Sequence, residues 1–292
     1  MKLFKYFFSF IIIIFTINII FKLISNLELN PLNFLLENFY YVILTILIQI
    51  LAIFIMSLRW KFCVKHFSDS SKLNFKYKDF LLLTSRGNIL NNMLPSVLFG
   101  DISKLASPNN DKSLKKEEAK LIFFDRVTGF FTLMNLGIIA MFFIGLLSYY
   151  LIFMFTIVEF IFIVFFFTYQ FRNLFIKNLL SKLKSLHFLI ILVLSIITQK
   201  LFIFSLLIQV IGFKKVVIFS NDLFNSIFLT FVSMFPFTIN GWGIREWSAD
   251  YISLSNIDSE ILVNSSLIYG MSFSISSTMI YLYLLIYKFI KK

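Results

Sequence analysis

Between Val127 and Phe171 the chain carries a single charged residue, Glu159, and a run of that length and character is stable only in apolar surroundings. It is long enough for two helices that turn near Ser148, Tyr149 and Tyr150. Further charge-poor windows run from Tyr6 to Phe21, Asn38 to Leu58, Ser185 to Phe213 with Lys200 inside it, and Ile261 to Tyr287. Of the 292 residues, 59% are hydrophobic and only 14% charged, where a soluble domain is nearer a quarter charged. Forty-one Phe cannot all be buried in one soluble core, but they can face lipid. The expected class is an all-α polytopic membrane protein, one integral membrane domain over 1–292. Helices follow because an open sheet in lipid leaves its edge groups unsatisfied.

Composition removes several chemistries. Cys63 is the only cysteine, so no disulfide framework and no Cys-rich metal site can form. His66 and His187 stand apart, which leaves little material for a metal centre or a Ser/His/Asp triad; His187 reads as a residue at a helix entrance. The formal charge of +12 lies mostly in loops between apolar spans, where it sets topology and attracts anionic lipid rather than nucleic acid. Met1 to Phe21 has the basic start and apolar centre of a signal peptide. Lys22 to Asn30 offers no small-residue cleavage site, so this run reads as a first membrane helix that Lys5 and Lys22 extend by snorkelling.

Two apolar segments do not read as plain spans. Phe80 to Gly100 contains Arg86, Asn88, Asn91, Asn92 and Pro95, and Leu223 to Ile244 contains Pro236, Asn240, Gly241 and Gly243. The first is flanked by lysines on both sides, from Arg59 to Lys78 and from Lys104 to Lys120, so both flanks favour the cytoplasm. The second follows Lys214 and Lys215 and precedes Asp250, Asp258 and Glu260, which suits the outside. The expected architecture is therefore about six transmembrane helices plus two opposed re-entrant broken-helix hairpins, with both termini in the cytoplasm; eight full spans are the alternative. Opposed broken helices are how several transporters build a site at the bilayer midplane.

Arginine is scarce, and its placement is informative. Among 27 basic residues only Arg59, Arg86, Arg126, Arg172 and Arg245 are arginine, and Arg86, Arg126 and Arg245 fall at membrane depth. A guanidinium stays charged in a dry site and donates a planar fork to phosphate or carboxylate. Three constellations carry these residues: Arg86 with Asn88, Asn92, Pro95, Gly100 and Asp101; Asp125-Arg126; and Pro236 with Asn240-Gly241-Trp242-Gly243-Ile244-Arg245-Glu246. The expected pairings are Arg86 with Asp101 or Asp125, leaving Arg126 for a substrate. Glu159 reads as a proton site or a neutral acid bonded to Thr156 or a neighbouring helix, and Lys200 as the partner of Glu159 or Asp125.

The order of these motifs resembles the transmembrane region of lysylphosphatidylglycerol synthases, whose family also contains stand-alone flippase-like membrane proteins without a synthase domain. Where that family has Leu-Pro-Gly and Gly-Gly-Asp followed by Arg, this chain has Leu94-Pro95-Ser96 and Phe99-Gly100-Asp101 followed by Lys104; its Glu-Arg is Asp125-Arg126. The resemblance implies movement of an anionic lipid or a lipid-linked sugar between leaflets. With nothing after Lys292, no soluble aminoacyl-transferase domain is expected.

The leading expectation is a flippase of an anionic phospholipid or lipid-linked sugar in the cytoplasmic membrane. Arg86, Asn88, Asn92, Asp101, Asp125, Arg126, Asn240, Trp242, Arg245 and Glu246 form its headgroup site, and Pro95, Gly100, Pro236, Gly241 and Gly243 break the backbone there. The runner-up is a non-transporting partner of a glycosyltransferase that holds a polyprenyl-phosphate substrate. An intramembrane enzyme is disfavoured: there is no paired-carboxylate motif, and Asp101, Asp125 and Glu246 read better as arginine partners. No cofactor, metal or nucleic acid is expected.

Overall fold

A computed structural model describes residues 36, 38–67, 76–93, 100–101, 104, 112–143, 145, 157, 186–213, 219–234, 240–251 and 259–291. The helices among them are α1 (Phe39–Phe67), α2 (Tyr77–Met93), α3 (Lys112–Phe143), α4 (Leu186–Phe213), α5 (Phe219–Val232), α6 (Ile244–Tyr251) and α7 (Ser259–Ile290). Among the described residues, four stretches are long and apolar enough to cross a membrane: Phe39–Lys65, Leu121–Phe142, Leu186–Phe213 and Ser259–Ile290. They answer to four of the spans expected from sequence. The expected span from Tyr6 to Phe21, the one after Ser148 and Glu159 itself lie outside the described residues.

The bundle is organised around α1. It runs antiparallel to α4, with Tyr41 against Gly212, Thr45 against Ser205 and Arg59 against Ser195. It runs parallel to α7, where Gln49 Nε2 donates to the carbonyl of Tyr269 at 3.2 Å, the Ser276 hydroxyl donates to Gln49 Oε1 at 3.3 Å, and Ile53 packs with Ile280. Lipid gives helices no hydrophobic reason to associate, so such bonds and close packing hold them, at roughly 0.6 kcal/mol per bond. Glycine allows the closest approach: a methyl on Gly212 would stand 2.6 Å from the Tyr41 ring. The faces turned away from the bundle carry Leu47, Leu51, Leu189, Val193, Leu282 and Ile286, all exposed. In water such a surface would aggregate, whereas in a bilayer it meets its solvent.

Both irregular segments double back. Helix α2 stays regular through Arg86, Asn88 and Asn92 to Met93, so its polar centre does not break it. By Gly100 the chain has returned alongside the same helix: the Gly100 N–H donates to Asn91 Oδ1 at 2.9 Å, and its carbonyl lies against Gly87. The second segment turns after Val232, and Gly241 packs on Ser233 before α6 begins at Ile244. Asn240 (φ 48°), Gly241 (82°) and Gly243 (85°) are left-handed, a region that glycine enters without the cost a Cβ brings. Pro95 and Pro236, expected at the breaks, lie outside the described residues.

The return of the first segment depends on having no side chain at Gly100, where a methyl would run into the carbonyl oxygen of Gly87 and the amide of Asn91. Gly100→Ala should cost about 1–3 kcal/mol. At Gly137, inside α3, a methyl would only touch Ile227 at 3.6 Å, and Gly137→Ala should be neutral or stabilising through helix propensity. Thermal unfolding of the two variants in detergent would show opposite shifts; an unchanged Gly100→Ala would mean that the return is not packed as described.

Candidate functional site

The two returning segments meet in the interior. Asn240 Nδ2 donates to Asn92 Oδ1, which joins the turn before α6 to the end of α2. Beside this junction lies a cavity of about 120 Å³, lined by residues of all seven described helices together with Lys104, Ser233, Met234 and Asn240. At roughly 10–15 Å³ per water it holds several waters or one small polar group. Its lining includes the apolar Met56, Phe202, Met234 and Phe273 and the charged or amide-bearing Arg59, Asn88, Lys104, Asp125, Arg126, Asn240 and Arg245.

Each carboxylate near the cavity is held by a basic residue. Arg59 Nη2 donates to Asp125 Oδ2 at 2.9 Å, its Nε stands 2.7 Å from Oδ1, and its Nη1 donates to Ser195 at 3.0 Å. Arg126 forks onto Asp101, Nε at 2.7 Å and Nη2 at 3.0 Å, and Lys104 Nζ reaches the same carboxylate at 3.1 Å. Arg245 Nη2 donates to Glu246 Oε1 at 2.9 Å. Among the described residues, four cations therefore face three carboxylates, and the excess sits where Arg126 and Lys104 share Asp101. Residues 94–99 and 235–239 contain no charged residue. Lys104 is buried, whereas the Arg126 side chain is 38% exposed.

The Arg245 pair is locked in the protein. Arg245 Nε donates to Ser266 Oγ at 2.7 Å and Nη2 to the Ser266 carbonyl at 2.9 Å; Ser266 Oγ in turn donates to Glu246 Oε1, and Glu246 Oε2 accepts the Gly243 N–H at 2.6 Å. The guanidinium lies 5.1 Å from the Tyr269 ring and 6.0 Å from the Trp242 ring. Gly270 makes the room, since a Cβ there would stand 2.6 Å from Arg245 Nη2. Trp242 thus supports Arg245 and is not among the lining residues.

Asn88, Asp125, Arg126, Asn240 and Arg245 line the cavity, and Asn92, Asp101, Trp242 and Glu246 hold the lining residues in place. Arg86 does neither. Two residues along a helix is a rotation of about 200°, so when Asn88 turns inward Arg86 turns out, and it is exposed. The expected pairings of Arg86 with Asp101 or Asp125 are not formed; Arg126 and Lys104 hold Asp101, and Arg59 holds Asp125. Arg126 is therefore not left wholly to a substrate, although it lines the cavity and its side chain is partly exposed. Lys200, expected beside Asp125 or Glu159, is exposed on α4, and His187 does stand at a helix entrance, the second residue of α4.

The sequence reading missed Arg59 and Gln199, and it had Lys104 only as the basic residue that follows Phe99-Gly100-Asp101. Arg59 had been placed among loop cations, but α1 continues to Phe67 and carries it inside. A signal existed: Thr45, Gln49, Ala52, Met56, Arg59 and Cys63 recur every three or four residues, the spacing of one buried helix face, and three of the six are polar. Among the described residues no group of acidic, His and Cys side chains is arranged to hold a metal ion. No curated protein and no solved structure matches the chain. Over residues 4–275, however, it matches the lysylphosphatidylglycerol synthase TM region, and the chain belongs to that family of membrane proteins.

Proposed function

We propose that the cavity receives the phosphate-bearing headgroup of an anionic lipid or a lipid-linked sugar, which the protein moves between leaflets of the cytoplasmic membrane while the hydrocarbon chains remain in the bilayer. The observation that carries this reading is the unbalanced charge: four cations against three carboxylates at the junction of two returning segments. One phosphodiester, with one negative charge, neutralises it. Arg126 is the group best placed to receive the anion, since part of its fork is open, and bonds to charged groups are worth roughly 1.5–3 kcal/mol. Asn88 Nδ2, buried in the lining of the same cavity and without a partner among the described residues, adds a donor. Two opposed returns at membrane depth suit a transporter, because irregular backbone is tolerated there only around a cavity. In this reading the protein is not an enzyme: the carboxylates serve the arginines, and no bond in the lipid is broken. In this reading both termini face the cytoplasm, the side that the positive-inside rule favours for the loop lysines.

The test is translocation of fluorescent phospholipids and of polyprenyl-phosphate sugars in liposomes containing the purified protein. Movement of an anionic class, slowed about ten- to hundredfold by Arg126→Ala, is the expected result. Asp101 keeps Lys104 in that variant, so the fold should survive, and circular dichroism would check it. Absence of movement for every lipid would overturn the reading, and binding without movement would favour a static holder of lipid-linked substrate for a glycosyltransferase.

A further inference from the structure

Gln199 lines the same cavity from α4, is 3% exposed, and is bonded on one side only. Its Nε2 donates to the Gly129 carbonyl at 3.3 Å. Only the amide nitrogen can donate to a carbonyl, so this bond fixes which end is oxygen, and Oε1 is buried with no partner among the described residues. The close approach uses the missing side chain of Gly129, where a Cβ would stand 3.3 Å from Gln199 Nε2 and 3.5 Å from Arg59 Nη1. A buried acceptor without a donor is costly unless something occupies it.

The position of this acceptor says what that occupant carries. Gly129 is three residues beyond Arg126 on α3, and residues so spaced lie on one helix face about 5–6 Å apart. Gln199 is thus tied through its Nε2 about one helical turn along α3 from Arg126, and both line the cavity, which brings its amide within reach of a group a few bonds away from a phosphate held at Arg126. Its Oε1 needs a hydrogen-bond donor. An ammonium could donate, but it would cancel the phosphate charge and leave the cavity's excess positive charge unbalanced. A hydroxyl donates and keeps the headgroup at one negative charge.

We infer that Gln199 is a specificity-determining residue that accepts a bond from a headgroup hydroxyl, so that the site selects phosphodiesters bearing a polyol or sugar over equally charged phosphodiesters without one. This rests on the headgroup reading above. Lipids with alkyl headgroups meet the same cations but leave the acceptor unpaired, and choline headgroups fail on both counts.

The matched probes are phosphatidylglycerol and phosphatidylpropanol, which share charge and carbon count and differ only in the two hydroxyls. Binding of each to the purified full chain in detergent is measured for wild type, Gln199→Met and Arg126→Ala. Wild type should prefer phosphatidylglycerol about tenfold, Gln199→Met should bind both about as wild type binds phosphatidylpropanol, and Arg126→Ala should weaken both. Equal, Arg126-dependent binding by wild type within both this pair and the sugar pair below would overturn hydroxyl recognition and leave the anion site standing; this holds even if Gln199→Met does not fold. Persistent discrimination by a folded Gln199→Met in the pair that wild type discriminates would also overturn it. No binding of any of the four lipids would overturn the headgroup reading and this inference with it. Repeating the pair as a polyprenyl phosphosugar against the methyl ester of the polyprenyl phosphate separates sugar from polyol, and a Gln199-dependent preference in either pair supports the assignment.

Discussion

Arg245→Met should cost about 3–5 kcal/mol of stability, a large part of the 5–15 kcal/mol that typically separates folded from unfolded protein. Arg245 is 1% exposed and Glu246 is fully buried. Without the guanidinium, Glu246 keeps the Gly243 N–H and the Ser266 hydroxyl but remains a buried charge with no counterion. The variant should also lose anion binding, because the cavity's excess positive charge falls to zero. Adding Glu246→Gln removes the stranded charge while keeping an acceptor for Gly243, and it returns the excess to one. The double variant should therefore recover much of both stability and anion binding, which thermal unfolding and lipid binding in detergent would measure together. Recovery of neither would mean that Arg245 contacts the headgroup directly and that charge balance is not what matters.

Arg59→Met should be comparably damaging, by about 3–5 kcal/mol, for a related reason at the Asp125 pair. Asp125 has both oxygens turned to Arg59, and the described group next to them is the Cys63 thiol at 4.0 Å. Arg59→Lys should recover only part of the loss, because a single ammonium cannot hold both oxygens of Asp125 and the Ser195 hydroxyl at once. Arg59→Met with Asp125→Asn should approach wild-type stability. A double-mutant cycle by thermal unfolding reads the coupling, and additive effects would show that the pair does not stabilise the bundle.

What could be read from the sequence and what could not divide along physical lines. Charge-free runs revealed α1, α4 and α7 because lipid enforces that pattern along the chain itself. The two returning segments were legible from polar residues and glycines concentrated where a span should be apolar. Partner choice was not legible, since Asp125 could be assigned to Arg86 only by proximity in motif order, whereas the true partner is 66 residues away on α1. Arg59 and Lys104 were hidden among loop lysines, and a count of charges by loop cannot tell a snorkelling cation from one folded into a cavity. Arg86 misled for the converse reason, being near Asn88 in sequence but about 200° from it around the helix. Gln199 is a single amide in an apolar helix, and nothing in sequence alone shows that one end of it is tied to Gly129.

The central claim is that the anion binds inside this cavity and not at membrane-depth arginine in general. Arg86 and Arg126 provide the matched comparison, both within the polar constellations, one exposed outside the cavity and one lining it. Initial rates of anionic headgroup translocation in liposomes should fall about ten- to hundredfold in Arg126→Ala and stay within about twofold of wild type in Arg86→Ala. Loss of translocation in Arg86→Ala with Arg126→Ala unaffected would contradict the account.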